Sequence, residues 1–184
     1  MTSYFTAFQR ASLAFGATVT LAVSVPQGAV AQLEGGPTVG TPAPKVSITD
    51  LDGHLVDLGT YIGKRPVFLE FWATWCESCA ALKPTVDSVI ARFGDRVDFI
   101  GINVAFGETV PGVRAWLAEH RPGFQVLYDS AATAIRAYDI QATSSVIIIG
   151  ADGKVAYTGV GGAQDLVGAL TRLLDGDPSQ HRSP

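Results

Sequence analysis

The sequence contains only two cysteines and one methionine among its 184 residues, and only 16% of it is charged. Its 13 Lys and Arg residues are scattered and outnumbered by 17 acidic ones, giving a net charge of −4, so no basic stripe exists to track a phosphate backbone and nucleic acid is excluded as a partner. Two cysteines fall short of the four ligands that a structural zinc site normally takes, and no cofactor is expected. The longest apolar run, from Ala11 to Val25, covers about 15 residues, short of the ~20 that span a bilayer. A chain of this length also leaves no comfortable room for a second full domain, and it carries no internal repeat.

What is present begins with a leader pattern. Arg10 is the only charge in the first 31 residues, and the apolar run is followed by Pro26, Gly28 and the small-x-small site Ala29-Val30-Ala31. That order predicts a secretory signal peptide over 1–31, cleaved after Ala31, and a periplasmic or otherwise secreted protein; an uncleaved membrane anchor is the alternative. The Gly- and Pro-rich stretch 32–44 reads as a linker, 45–175 as one domain, and 176–184 as a polar, disordered tail.

Inside the domain, alternation around Val46 and Ile48, the turn Asp52-Gly53 and alternation from His54 to Leu58 predict an N-terminal β-hairpin. The β-rich run Val67 to Trp72, interrupted only by Glu70, predicts a buried central strand. Apolar residues at helical spacing from Ala80 to Phe93 predict a helix ended by Gly94. Strands follow at 97–104 and 124–128 and helices at 110–119 and 131–138, the last started by Asp129 or Ser130. A hairpin about Asp152-Gly153 and a helix over 166–174 complete the pattern. The expected class is α/β: a mixed central sheet with helices on both faces and an N-terminal β-hairpin.

The chemistry concentrates in Cys76-Glu77-Ser78-Cys79, placed where a strand gives way to a helix. In an exported protein two cysteines ordinarily suggest a structural bridge, but this pair closes a loop too short to constrain the unfolded chain much. A cross-link that can be made and broken locally suits redox chemistry better. The unpaired N–H groups of the helix's first turn favour thiolate at Cys76, making it the nucleophile. Cys79, one turn later and expected to lie deeper, is the resolving thiol that attacks a mixed disulfide on Cys76. His54 and His120 read as solvated surface residues, and Trp116 as packing.

The run Phe71-Trp72-Ala73-Thr74-Trp75-Cys76-Glu77-Ser78-Cys79, with Pro84 downstream, resembles the thioredoxin superfamily, and the stretch from about Val39 to Leu174 is similar to its exported TlpA-like branch. The resemblance implies a thioredoxin-like fold and a thiol-disulfide oxidoreductase. It implies that Glu70 is a buried acid that exchanges a proton with Cys79, which agrees with the raised pKa of a carboxyl inside an apolar strand. It makes Glu77 and Ser78 the dipeptide that tunes redox poise, and Trp75, with Trp72, an apolar collar. Substrate pairing falls at Thr143 and Ser144, where the family usually carries Thr-Pro with a cis proline. Here Ser144 replaces that proline, so a trans bond is expected, since a cis bond before a non-proline residue costs roughly 2.5 to 4 kcal/mol. The Ser144 hydroxyl is then a candidate hydrogen-bond donor to a thiolate, and a proline restored at 144 is expected to restore family-like exchange. The implied partners are exported cysteine-containing proteins, including apocytochromes and copper-site assembly proteins, and a membrane thiol donor or acceptor. The alternative is a module that keeps the fold and uses the dithiol to hold Cu(I) or dock a client without turnover. A peroxidase of peroxiredoxin type is disfavoured, because Cys76 lacks the preceding proline of that frame.

Overall fold

The computed structural model describes residues 35–176; the expected leader over 1–31 and the tail from 177 lie outside the described residues. Alternating residues at Ser47–Asp50 (β1) and Leu55–Asp57 (β2) pair antiparallel, with Ile48 turned into the core. The turn is closed by the Asp50 carboxylate, which accepts the Asp52 and His54 N–H groups at 2.8 and 2.9 Å, and by Gly53 at φ +84°, a conformation that favours glycine. A single 3-10 turn at Leu58–Thr60 leads to Val67–Trp72 (β3), in which every residue is buried. Helix α1 (Glu77–Phe93) runs on through Pro84 and presents Leu82, Val86, Val89 and Phe93 to the sheet at the spacing of one helical face.

Asp98–Asn103 (β4), Val110–His120 (α2) and Gln125–Tyr128 (β5) follow. Helix α3 (Thr133–Ala137) is shorter than its predicted span, and its N-cap is Ala132 in the left-handed region, with no side-chain cap bond of its own. The Asp129 carboxylate supplies the missing acceptor from further back, taking the Thr133 and Ile135 N–H groups at 2.7 and 2.9 Å. Ser145–Ile149 (β6), Val155–Val160 (β7) and Leu166–Asp175 (α4) complete the chain. Among the described residues no helix is long and apolar enough to cross a membrane.

The strands form one sheet in the order β2-β1-β5-β4-β3-β6-β7. The β3–β4 and β4–β5 pairs are parallel and the others antiparallel, which gives the mixed sheet the sequence predicts. Two cores lie on its faces. Phe68, Val146 and Ile148 pack with α1 and with Leu166 and Leu170 of α4, whereas Leu69, Phe71, Ile102 and Leu127 pack with Val113 of α2 and with Ala134 and Tyr138 beside α3. Helices therefore cover both faces, and strand alternation places Glu70 on the same face as Phe68, the α1 face.

The stretch read as a linker is docked from Gly35 on. Its backbone pairs with the edge of β7, through Gly40 N–H to Val155 O at 2.8 Å, Val155 N–H to Thr41 O at 2.9 Å and Ala43 N–H to Gly153 O at 2.9 Å. Gly and Pro content signals lack of helical or strand period, but an unpaired sheet edge supplies partners for any extended backbone that reaches it.

Candidate active site

Cys76 is the N-cap of α1: its φ and ψ are extended, and its Sγ accepts the Cys79 N–H at 3.0 Å. The sulfur thus occupies the place a Ser or Asp side chain usually takes at a helix start, among unpaired N–H donors and at the positive end of the helix. Cys76 and Cys79 are joined as a disulfide with their Cα atoms 5.2 Å apart. Both residues are buried, at 6% and 8% exposed. The N-cap conformation folds the Cys76 side chain back over the first turn, where its Sγ meets the Cys79 N–H. Ser78 Oγ lies 3.4 Å from Cys76 Sγ, and Glu77 is exposed in the first turn.

Beneath the disulfide is a cavity of about 230 Å³ lined by both cysteines, Glu70, Trp72, Lys83, Asp87, Trp116, His120 and Phe124, among others. Glu70 is only 4% exposed, so it is not a solvent-facing strand residue. Burial pushes its carboxyl up from an ordinary 4.5 to about 7, the nearby Asp87 carboxylate adds to the shift and Lys83 opposes it. Lys83 and Asp87 form an i,i+4 ion pair at 2.6 Å. Gly101, directly opposite Glu70 on β4, leaves space that a Cβ would take from the Phe124 ring and from Trp72 Nε1. Trp72 is packed on Trp116 at 4.7 Å, and Trp116 is stacked on His120 at 4.1 Å with an interplanar angle of 6°. His120 is exposed and Trp116 packs against the core, as their sequence readings have them, yet both also line the cavity. The i,i+4 spacing of Trp116 and His120 on one helix face was the available signal.

A second group of residues escaped the sequence reading altogether. The Glu108 carboxylate accepts the Thr74 N–H at 2.5 Å, the Thr74 hydroxyl at 3.0 Å and the Asn103 Nδ2–H at 3.3 Å. It ties the turn before Cys76 to the loop after β4, across 34 positions of sequence. Trp75, half-exposed at 50%, donates its indole N–H to the Phe106 carbonyl at 2.9 Å, so one member of the expected collar is anchored to this loop.

At the other approach to the site, Ser144 is fully buried with φ +63°, and no cis peptide occurs among the described residues. Its N–H donates to Phe71 O at 2.8 Å and its hydroxyl to Gly161 O at 3.0 Å. Its carbonyl accepts Gly161 N–H at 3.1 Å and Gln164 Nε2–H at 3.0 Å. The hydroxyl is therefore committed away from the sulfurs, which corrects the expectation that it donates to a thiolate. A proline at 144 is also misplaced, since its ring holds φ near −65° and removes the N–H that Phe71 accepts. Thr143 is half-buried, and among the described residues its backbone N–H and C=O make no intramolecular hydrogen bond. Among the described residues, the grouping that brings three metal-ligating side chains within reach of one ion is Asp50, Asp52 and His54 on the hairpin, and it does not include the cysteines.

A family model described as Redoxin matches residues 38–172. The thiol-disulfide oxidoreductase ResA of Bacillus subtilis (strain 168) is 31% identical over 117 residues, which cover 63% of this chain and 64% of that one. The chain thus spans a little less than two thirds of the length of this and similar curated relatives. Among solved structures, a putative protein disulfide isomerase from Bacteroides thetaiotaomicron aligns with a TM-score of 0.69 at 23% identity, covering 80% of this chain and 98% of that one. A secreted Mycobacterium tuberculosis disulfide oxidoreductase homologous to E. coli DsbE aligns with a TM-score of 0.60 at 25% identity, covering 70% and 96%. The thioredoxin-like fold and the resemblance to the TlpA-like branch are borne out by these likenesses.

Proposed function

The chain belongs to the Redoxin family, and on that premise we propose that it is a thiol-disulfide oxidoreductase working through Cys76 and Cys79. The observation that carries this reading is the Cys76 sulfur at the N-cap of α1, bonded to Cys79 and set over a cavity that holds a buried acid. A client thiolate attacks Cys76 Sγ, and the Cys76–Cys79 bond breaks with its electron pair on Cys79. Protonated Glu70 lines the same cavity and supplies the proton that converts the leaving Cys79 thiolate to a thiol. A second client thiolate then attacks the client sulfur of the mixed disulfide and releases Cys76 as a thiolate held by the Cys79 N–H. The client has lost two electrons and the protein has gained them; run backwards, the same steps reduce a client disulfide. With a pKa of about 7, Glu70 gives and takes its proton near neutrality.

The client pairs its backbone with Thr143, whose own peptide groups have no internal partner among the described residues. In the same proposal the protein is exported, its clients are exported cysteine-containing proteins such as those of cytochrome c or copper-site assembly, and a membrane thiol donor or acceptor resets it. The leader pattern over 1–31 and the likeness to a secreted oxidoreductase support export.

Equilibrating the purified chain in glutathione or dithiothreitol buffers should cycle the Cys76–Cys79 couple within the range of about −270 to −120 mV covered by thioredoxin-fold proteins. A Cys79→Ala variant should accumulate mixed disulfides on Cys76. A couple that cannot be cycled, together with tight binding of one Cu(I) per chain, would replace this reading with that of a metal-holding module.

A further inference from the structure

Four large apolar side chains are exposed among the described residues, and two of them, Trp75 and Phe106, stand together beside Cys76. Their rings meet edge to face, with centroids 6.4 Å apart at 79°. Phe106 is 78% exposed, and the loop that carries it is held in an unfavourable backbone conformation. Ala105 has φ +60°, where a Cβ is crowded, and Gly107 follows at φ +68°. Burial does not repay this conformation, because the residue at the loop's tip faces water.

Polar bonds hold it instead. Asn103, itself fully buried, accepts the Ala105 N–H at 2.9 Å and donates to Glu108, whose N–H reaches back to Ala105 O at 3.3 Å. The Glu108 carboxylate grips Thr74 through both its N–H and its hydroxyl, two residues before Cys76. The indole N–H of Trp75 then closes the arrangement on Phe106 O. The Trp75 indole and the Phe106 backbone are thereby tied to the turn that carries Cys76, and both side chains stay exposed.

We propose that Trp75 and Phe106 form a specificity clamp for an apolar side chain next to the client's reacting cysteine, and that Glu108 is the positioning residue that holds the clamp in register with Cys76. This rests on the exchange reading and names its substrate class: a cysteine in an unfolded or extended segment with an aliphatic or aromatic neighbour. In a folded client such a neighbour is normally buried, so the clamp selects segments whose core residues are still exposed. An aromatic pair suits that partner because it offers a rigid apolar surface at little cost in side-chain entropy. The charge around it disfavours an acidic neighbour, since Glu77 and Glu108 flank the Cys76 turn and a client carboxylate there would meet like charge.

The test uses the dithiothreitol-reduced full chain and two disulfide-linked peptide dimers that differ only in carrying Leu or Ser after the cysteine. The wild type should favour the Leu peptide in kcat/KM by about five- to tenfold, the order expected when one aliphatic side chain is partly covered. Phe106→Ser should bring that ratio close to one. Glu108→Ala should lower the ratio as well, whereas Glu108→Gln, which keeps an acceptor for Thr74 N–H, should restore most of it. A ratio unchanged in Phe106→Ser, or a wild type without preference, overturns the clamp. So does a Glu108→Gln variant as impaired as Glu108→Ala, because the charge and not the bracing would then be at work. If dithiothreitol does not reduce the wild-type disulfide at all, the exchange reading itself fails, and that outcome is separate from a flat ratio in a protein that cycles.

Discussion

Two turns approach the site from different parts of the chain, and they spend their polar groups in opposite ways. The turn that ends at Cys76 is held from outside, by Glu108 on Thr74, while its sulfur sits at the helix start where bonds can form and break. The turn that ends at Ser144 commits the groups of its own last residue: the N–H, hydroxyl and carbonyl of Ser144 bind Phe71, Gly161 and Gln164 on distant segments. The lesson is that a reactive turn keeps its chemistry free by borrowing support from another loop. A turn that only shapes the groove can commit its last residue to such distant partners, leaving the neighbouring Thr143 backbone without an intramolecular bond among the described residues.

The comparison breaks most visibly at Ser144→Pro. A ring that demands φ near −65° in place of +63°, and that deletes the N–H donated to Phe71 O, should cost about 3 kcal/mol or more in denaturant unfolding. A variant as stable as the wild type and faster in exchange would show that this turn tolerates the family's usual proline and that its bonds to Phe71, Gly161 and Gln164 do not define it.

Glu70→Gln tests the other turn and should act on chemistry and stability together. Exchange should slow about ten- to a hundredfold, and the inflection near pH 7 should vanish from the rate profile. For stability the sign follows from proton binding. Between the unfolded value near 4.5 and the folded value of about 7 the native state binds the extra proton, so stability is fullest below the lower value and falls as pH rises towards the upper one. The glutamine variant escapes that loss and should be more stable than the wild type by about 2 to 3 kcal/mol at pH 8, and equal to it at pH 4. Thermal or denaturant unfolding at the two pH values checks it; an unchanged difference between them would mean that the carboxyl is already ionised in the fold.

The smallest effect belongs to Ser144→Ala. Losing one hydroxyl, while the Gly161 carbonyl keeps the Gln164 Nε2–H at 2.7 Å, should cost about 1 kcal/mol, with exchange rates changed by no more than about twofold. A tenfold slower exchange at unchanged stability would return the hydroxyl to the sulfurs and erase the contrast between the turns.

Much of this protein is legible in its sequence because the relations that matter there are local. A β-rich run followed by Cys76 and, one helical turn on, Cys79 places the pair at a helix start whatever surrounds it, and alternation through β3 assigns Glu70 to a face. The hairpin turn at Asp52-Gly53 and the helical stripe from Leu82 to Phe93 are local in the same sense. Tertiary structure decided everything that joins distant segments. Glu108 on Thr74, the packing of Trp72 on Trp116, the Ser144 hydroxyl on Gly161 and the docking of residues 35–44 along β7 all depend on which strands lie side by side. The physical reason is reach: backbone period and helix geometry act over a few residues, whereas a side-chain hydrogen bond or an aromatic stack exists only after the sheet order has brought its two partners within a few ångströms.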